Sequence, residues 1–330
     1  MKATPSGAAA GALSVALALF PAAAALAQTA ASYPERPITL VVPFSPGTGI
    51  DIIARAIGPK LNQKWGQPVI VDNRPGASGN IGAEIVAKSA PNGYTLMVTV
   101  NTITITPSLY RSMPYDVLTD FTPISKTAVA SYAFSVHPAV PAKNFGEFVK
   151  LVRAKPGELL YSSPGNGTPH HLAMELMKLR LGLKITHVPY KGLAEALRDL
   201  VGGHVQMIFM PVHTTLPQSR AGKIRILAVT GPKRTELAPD APTFREQGID
   251  FMDDVDAWYA VMGPAKLPAD IVSKLNQEIK ATLALPDVRE FLLKQGLVPV
   301  ASTPEELHAL MKTDFARWAK VVADAGIKAD

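Results

Sequence analysis

An α/β fold of two domains, each a mostly parallel sheet flanked by helices with a cleft between them, is predicted by three features of the sequence. Short apolar β-rich runs alternate with stretches of helical apolar spacing, the pattern of βαβ units. Two such series occur within 330 residues, a length sufficient for two ordinary cores. The third feature is a turn written twice, Ser45-Pro-Gly-Thr-Gly49 and Ser163-Pro-Gly-Asn-Gly167, each placed between an apolar run and a helical one.

The elements follow in order. ITLVVPF reads as a buried strand, and residues 51–64 place Ile52, Ile53, Ala56, Ile57 and Leu61 at helical spacing. PVIVDN and YTLMVTV are further strands, and the glycine-rich segment between them opens a helix. A second series runs through FGEFVKLVRAK, LLYSS, the helix at 168–181, ITHVPY, GLAEALRDLVGG, VQMIFM and IRILAVTG. From residue 268 the chain is almost all amphipathic helix, and the first domain, with fewer helices of its own, is its expected host. The expected division is therefore 28–136 with 257–330 as a discontinuous first domain, and 137–256 as the second.

Residues 1–27 stand apart. Lys2, the small apolar run AAAGALSVALALFPAAAALA and Ala25-Leu26-Ala27 fit a secretory leader cleaved after Ala27, which predicts a protein exported from the cytoplasm. The chain has no cysteine, so neither disulfides nor a lipid anchor through an N-terminal Cys are expected. The net charge of +6 comes from scattered Lys and Arg without interleaved aromatics, which argues against nucleic acid and suits a small anion.

A glycine turn that feeds a helix leaves the first backbone N–H groups unpaired at the positive end of the dipole, and such a place accepts an anion. Gly47, Gly49, Gly165 and Gly167 allow close approach of backbone, while Ser45, Thr48, Ser163, Asn166 and Thr168 add donors. Pro169 after Thr168 reads as a cap followed by a first-turn proline. Two such helix starts, one per domain, could grip one carboxylate from both sides. Neither GTGIDII nor GASGNIG has the spacing of a phosphate or dinucleotide loop.

Other residues carry competing readings. His171 at the start of its helix could donate to a bound carboxylate, and His213 could meet a second carboxylate at the far end of the ligand. Asn101 follows a strand at its carboxyl end, where open sheets bind ligands. His170 reads as a solvated surface residue, Asp51 as a cap of its own helix, and Trp258 and Tyr259 as core or cleft wall. His171 with Glu175 lacks a third metal ligand, so no metal and no cofactor are expected.

Taken together, PFSPGTGIDIIAR, VDNRPGASGNIGAEIVAKSAPNGYTLM, PSLYRSMPYD, DFTPI, SSPGNGTPHHLAMELMK, HVPYKG, GGHVQMIF, AGKIRILAVT and APTFREQG resemble the periplasmic solute receptors of tripartite tricarboxylate transporters, the Bug or TctC-like family. The resemblance implies a two-domain venus-flytrap binding protein, a monomer, that delivers a small carboxylate to membrane permease subunits. It also implies that Phe44, Ser45, Thr48, Gly49 and Ile50 on one side, and Ser163, Asn166, Gly167 and Thr168 on the other, hold the proximal carboxylate, partly through ordered water. The chain departs from the family pattern at Thr48 and Ile50, which implies a narrower, less polar first pocket. Where receptors for amino dicarboxylates place an Asp, this chain has Met210, so no acid awaits a ligand ammonium group. The expected ligand is a mono- or dicarboxylate, with an aromatic dicarboxylate such as a benzene dicarboxylate the leading guess. A secreted hydrolase of a small carboxylate ester is the alternative. It lacks a nucleophile elbow, and Ser163 with His171 has no acid to complete a triad.

Overall fold

The structure, a computed structural model, describes Met1, residues 32–190 and residues 192–327. Apart from Met1, the leader expected over residues 1–27 and its cleavage after Ala27 lie outside the described residues. No helix among the described residues is long and apolar enough to cross a membrane.

The chain begins with β1 (Ile38–Val42), α1 (Gly49–Trp65), β2 (Val69–Asn73), α2 (Asn80–Ala87), β3 (Thr95–Val100), the short α3 (Thr102–Ile105) and β4 (Phe121–Ala130). It then crosses to a second body: β5 (Tyr132–Val136), α4 (Phe145–Ala154), β6 (Leu160–Ser163), α5 (Pro169–Leu181), β7 (Thr186–Pro189), α6 (Leu193–Val201), β8 (Met207–Pro211), α7 (Val212–Arg220) and β9 (Arg225–Val229). It returns through β10 (Ala257–Pro264), α8 (Ala269–Leu283), α9 (Pro286–Lys294), β11 (Val298–Pro299) and α10 (Pro304–Asp324).

Two sheets result, of order β11-β4-β10-β3-β1-β2 and β7-β6-β8-β5-β9. Parallel pairing, expected for most of each sheet, holds where βαβ units build the sheet, β1 with β2 and β3 and β6 with β7 and β8. The strands that carry the chain between domains run antiparallel to their neighbours: β10 pairs so with β3 and β4, and β5 with β8 and β9. A strand entering from the other domain needs no crossover helix, so its direction is free. The first crossing therefore falls between Ala130 and Tyr132, where β4 leaves the first sheet and β5 enters the second. By sheet membership the chain changes sheets one strand before the boundary expected at 137.

The helices start and stop for identifiable reasons. Thr303 and Glu306 form a reciprocal capping box at α10, and the Asn144 side chain accepts the Glu147 N–H at α4. Gly66 and Gly182 end α1 and α5 in the left-handed conformation. α8 and α10 pack on β4, so the C-terminal helices cover the first sheet. In the second domain Phe134 is surrounded by Phe145, Phe148 and Phe209 at ring distances of 5.6, 4.8 and 5.2 Å. Truncating a fully buried ring of this kind costs roughly 3–5 kcal/mol, which makes Phe134 a keystone of that core.

Candidate functional site

A cavity of about 220 Å³ lies where the two domains meet. The first domain supplies Phe44, Thr48, Gly49, Ile50, Val100, Asn101 and Thr102; the second supplies Tyr132, Pro169, His170 and Pro211; Ala257 and Tyr259 of β10 complete the wall. A larger groove, about 770 Å³, runs between α8 and α10 on the first domain alone. Its amide, Asn276, already donates to the carbonyls of Ile124 and Ser302, and no lining side chain is buried and unpartnered among the described residues. The interdomain cavity is the chemically prepared one.

The Ser45–Gly49 turn is fastened from behind. Asp51 accepts the Gly47 N–H at 2.9 Å, Arg55 Nε at 3.0 Å and Asn73 Nδ2 at 3.0 Å, and Asn73 Nδ2 also reaches the Phe44 carbonyl at 3.1 Å. Burial pushes the Asp51 carboxyl up, but its hydrogen bonds from Arg55, Gly47 and Asn73 outweigh that and hold it below the usual carboxylate range. Asp51 is therefore a clamp for the turn rather than the cap of its helix. Gly47, at φ +82°, takes the left-handed bend. Thr48, the N-cap residue, makes no side-chain cap; its hydroxyl donates to the Ser45 carbonyl at 2.9 Å. The first helical bond of α1 is Ile52 N–H to Thr48 carbonyl, so the N–H groups of Gly49, Ile50 and Asp51 precede the ladder. The glycine at 49 is required by contact: a Cβ there would lie 2.8 Å from the Tyr259 hydroxyl.

Asn101 stands beside this turn. It is 1% exposed, and neither its Oδ1 nor its Nδ2 has a hydrogen-bond partner among the described residues. Its backbone is held by the Trp258 carbonyl, at 3.0 Å from the Asn101 nitrogen. A buried amide with both ends unsatisfied is costly unless something else satisfies it.

The second turn is organised differently. Thr168 caps α5 by accepting the His171 N–H, and its hydroxyl donates to the Gly165 carbonyl at 2.8 Å. Ser163, fully buried, pairs through Oγ with His187 Nε2 at 2.7 Å and accepts the Gly165 N–H. Gly167 donates to His171 Nδ1 at 3.0 Å and abuts Leu109, against which a Cβ would sit at 2.6 Å. This turn closes on itself. What it presents to the cavity is the first turn of α5, Pro169 and His170.

His170 is thus a cavity residue and not a solvated one. Its ring lies edge-on to Tyr132, 5.0 Å between centroids, and both ring nitrogens are buried without a partner among the described residues. Burial pushes the imidazole down to about 4, so it is neutral near pH 7. Tyr259, pushed up to about 12 by burial, is neutral too.

Of the residues expected at the site, Phe44, Thr48, Gly49, Ile50 and Asn101 are brought together. The others lie elsewhere, each for a physical reason. Ser45 and Asn166 are exposed at the tips of their turns. Ser163, Gly167 and Thr168 direct their polar groups into the second turn. His171, 5% exposed, stacks beneath that turn on His187. Met210 faces the opposite side of its sheet, among Ala196, Leu200 and Ile208, because alternate strand residues point to opposite faces. His213 on α7 packs against Gly296. The cavity also takes in Tyr132, His170 and Pro211, with Val100, Thr102, Pro169 and Ala257, none of them expected there; Tyr259 resolves from core or wall to wall. Two adjacent histidines at a helix start gave one usable signal, since neighbours on a helix face different directions and one of them had to turn outward. Ser163 has a histidine neighbour, but His187 is flanked by Tyr161 and His171 rings and meets no carboxylate among the described residues, which therefore form no triad there.

A family model described as the tripartite tricarboxylate transporter family receptor matches residues 53–327. Protein BugT of Bordetella pertussis is 35% identical over 303 residues, 91% of this chain and 92% of that one. Among solved structures, an R. palustris protein with adipate superposes at a TM-score of 0.74 with 37% identity, covering 90% of this chain and 99% of that one. MatC from Rhodopseudomonas palustris with bound malate gives 0.71 and 31%, covering 88% and 100%.

Proposed function

Because the chain belongs to the tripartite tricarboxylate transporter receptor family, a family of solute receptors and not of enzymes, we propose that it binds an organic carboxylate in the interdomain cavity and delivers it to the permease of such a transporter from the periplasm. One observation carries the reading. The uncapped N-terminus of α1 and the unsatisfied amide of Asn101 open onto the same cavity. Backbone N–H groups at the positive end of a 17-residue helix, with one side-chain N–H₂ beside them, suit a carboxylate's two oxygens.

The rest of the wall shapes the acid's body. Phe44, Ile50, Val100, Tyr132, Pro169, Pro211 and Tyr259 offer aromatic and aliphatic surface, so a short chain or a single ring fits. No described lining residue is Asp or Glu, and an ammonium group would enter without a counter-charge. This supports a mono- or dicarboxylate over an amino acid. Neighbours solved with adipate and with malate agree with that class. Export through the leader-like residues 1–27 belongs to the same proposal.

The test is a thermal-shift and calorimetric screen of linear and benzene mono- and dicarboxylates against the purified protein, with product formation followed in parallel. Stabilisation that grows with ligand concentration, without turnover, is expected. Turnover of any acid or ester, or binding only of amines, would sink the proposal.

A further inference from the structure

The cavity has two polar groupings, one from each domain. The α1 turn and Asn101 form the first. On the second domain the cavity side chains are Tyr132, Pro169, His170 and Pro211, and His170 is the one with buried, unpartnered nitrogens. A monoacid held at the α1 turn would place hydrocarbon against these nitrogens and leave them unsatisfied. A ligand with a second hydrogen-bonding group would satisfy them. We infer that His170 is the specificity-determining residue of this receptor, selecting a second carboxyl group at the far end of the bound acid, so that the preferred ligand is a short dicarboxylate. The inference rests on the carboxylate reading of the α1 turn.

The surroundings of His170 decide how that second carboxyl is held. On β5 it faces the neutral Tyr132, and β10 contributes the neutral Tyr259. α1, β3 and α3 contribute Thr48, Gly49, Ile50, Val100, Asn101 and Thr102, none of them titratable. Asp256, the acid that acts on Tyr132, is tied to Ser131 and Thr230. On its own helix, His171 is turned beneath the second turn with Glu175 and Lys178. No Lys or Arg lines the cavity among the described residues. Among the described residues a second carboxylate therefore meets no fixed positive side chain, and a neutral imidazole offers only one N–H donor. Taking one proton from solvent resolves this: shared between the imidazole and the carboxyl, it turns the contact into a charge-assisted hydrogen bond. The carboxylate raises the proton affinity of His170, and by linkage the proton raises affinity for the diacid.

Two matched pairs of probes test this, adipate with hexanoate and terephthalate with benzoate, by calorimetry at pH 6.5 in two buffers of different protonation heat. We expect at least one diacid to bind roughly tenfold or more tightly than its monoacid, the cost of leaving one buried group unpaired. Binding of that diacid should take up part of a proton, and that of the monoacid none. His170→Gln should bring the diacid-to-monoacid ratio close to one and abolish uptake. Should His170→Gln not fold, proton uptake by the unmodified protein remains decisive. Diacids bound without proton uptake, or monoacids bound as tightly, would overturn the role of His170 and leave the carboxylate reading standing. No binding of any of the four acids would remove both.

Discussion

The imidazole rings of His171 and His187 lie face to face, 4.0 Å between centroids and 12° between planes, directly under the turn that joins β6 to α5. Each holds that turn by a hydrogen bond, His171 to the Gly167 N–H and His187 to the Ser163 hydroxyl. Burial, then the neighbouring His171 and Lys178, push His187 down to about 3, and His171 is lowered chiefly by burial. A stacked pair of this kind tolerates no charge. Because the folded pKa values lie below the unfolded value near 6.5, the unfolded chain binds protons first, and stability present above pH 6.5 is lost as pH falls toward 3. Urea midpoints measured from pH 7.5 to 4.5 should decline steadily below 6.5, and His187→Gln should flatten the decline. A midpoint constant across that range would refute the assignment.

The two threonines of the twin turns should behave differently. Thr168 is a side-chain cap, so Thr168→Val should destabilise the protein by about 1 kcal/mol. Thr48 makes no cap and borders the cavity, so Thr48→Val should change stability by less than about 0.5 kcal/mol. Adipate or terephthalate, whichever binds, should lose severalfold affinity for Thr48→Val. Equal stability losses in urea would contradict the different construction of the two turns.

Asn101 should show a conflict between stability and binding. Its unsatisfied amide costs the folded protein on the order of 1–3 kcal/mol. Asn101→Leu, similar in size and apolar, should raise the melting temperature by a few degrees and lower carboxylate affinity at least tenfold. A variant less stable than the parent would show that the amide is satisfied in solution.

Much of this was legible in the sequence because amphipathic and βαβ patterns are local. β1 to β3, α1, α2 and the C-terminal helices follow from apolar spacing, Thr48, Gly49 and Asn101 follow from a glycine turn and a strand end at a sheet's carboxyl edge, and Phe44 and Ile50 follow only from the resemblance to a known family. The β4–β5 break was not legible. PISKTAVASYAFSV is one apolar stretch, divided at Ser131 only because β4 pairs with β10 and β5 with β8 and β9, far along the chain. Nor did the sequence decide between His170 and His171. The run from Leu172 to Met177 is buried without interruption, so nothing local marks an inner face, and the rotation of α5 is set by its tertiary packing.

At the crossing between domains, Asp256 accepts Ser131 Oγ at 2.8 Å and also the Thr230 hydroxyl, which ties both connecting segments together. Burial raises its pKa to about 6, against the lowering effect of those hydroxyls. The sign is opposite to that of the histidines: the folded protein holds this proton more tightly than the unfolded chain, so its stabilisation is complete below about 4 and lost as pH rises through 6. Asp256→Asn keeps a neutral acceptor there. It should be more stable than the parent at pH 7.5 and similar to it at pH 4.5, as read by urea unfolding. A variant less stable at both pH values would show that the ionised carboxylate is the favoured form.

Gly296 and His213 meet at a contact remote from the α1 turn. Gly296, between α9 and β11, has φ +78°, and a Cβ there would lie 2.1 Å from Cγ of His213 on α7. Gly296→Ala therefore carries two penalties, about 1–2 kcal/mol for a left-handed alanine and a steric part from His213. α7 begins directly after Pro211, a cavity residue, so displacing the helix should also weaken carboxylate binding. His213→Ala in the same chain should recover the steric part and the affinity, leaving only the backbone strain. A double-mutant cycle on urea unfolding should then report a coupling of about 0.5–3 kcal/mol. Additive effects would mean that the two residues do not touch in solution and that α7 is positioned by its own sheet alone.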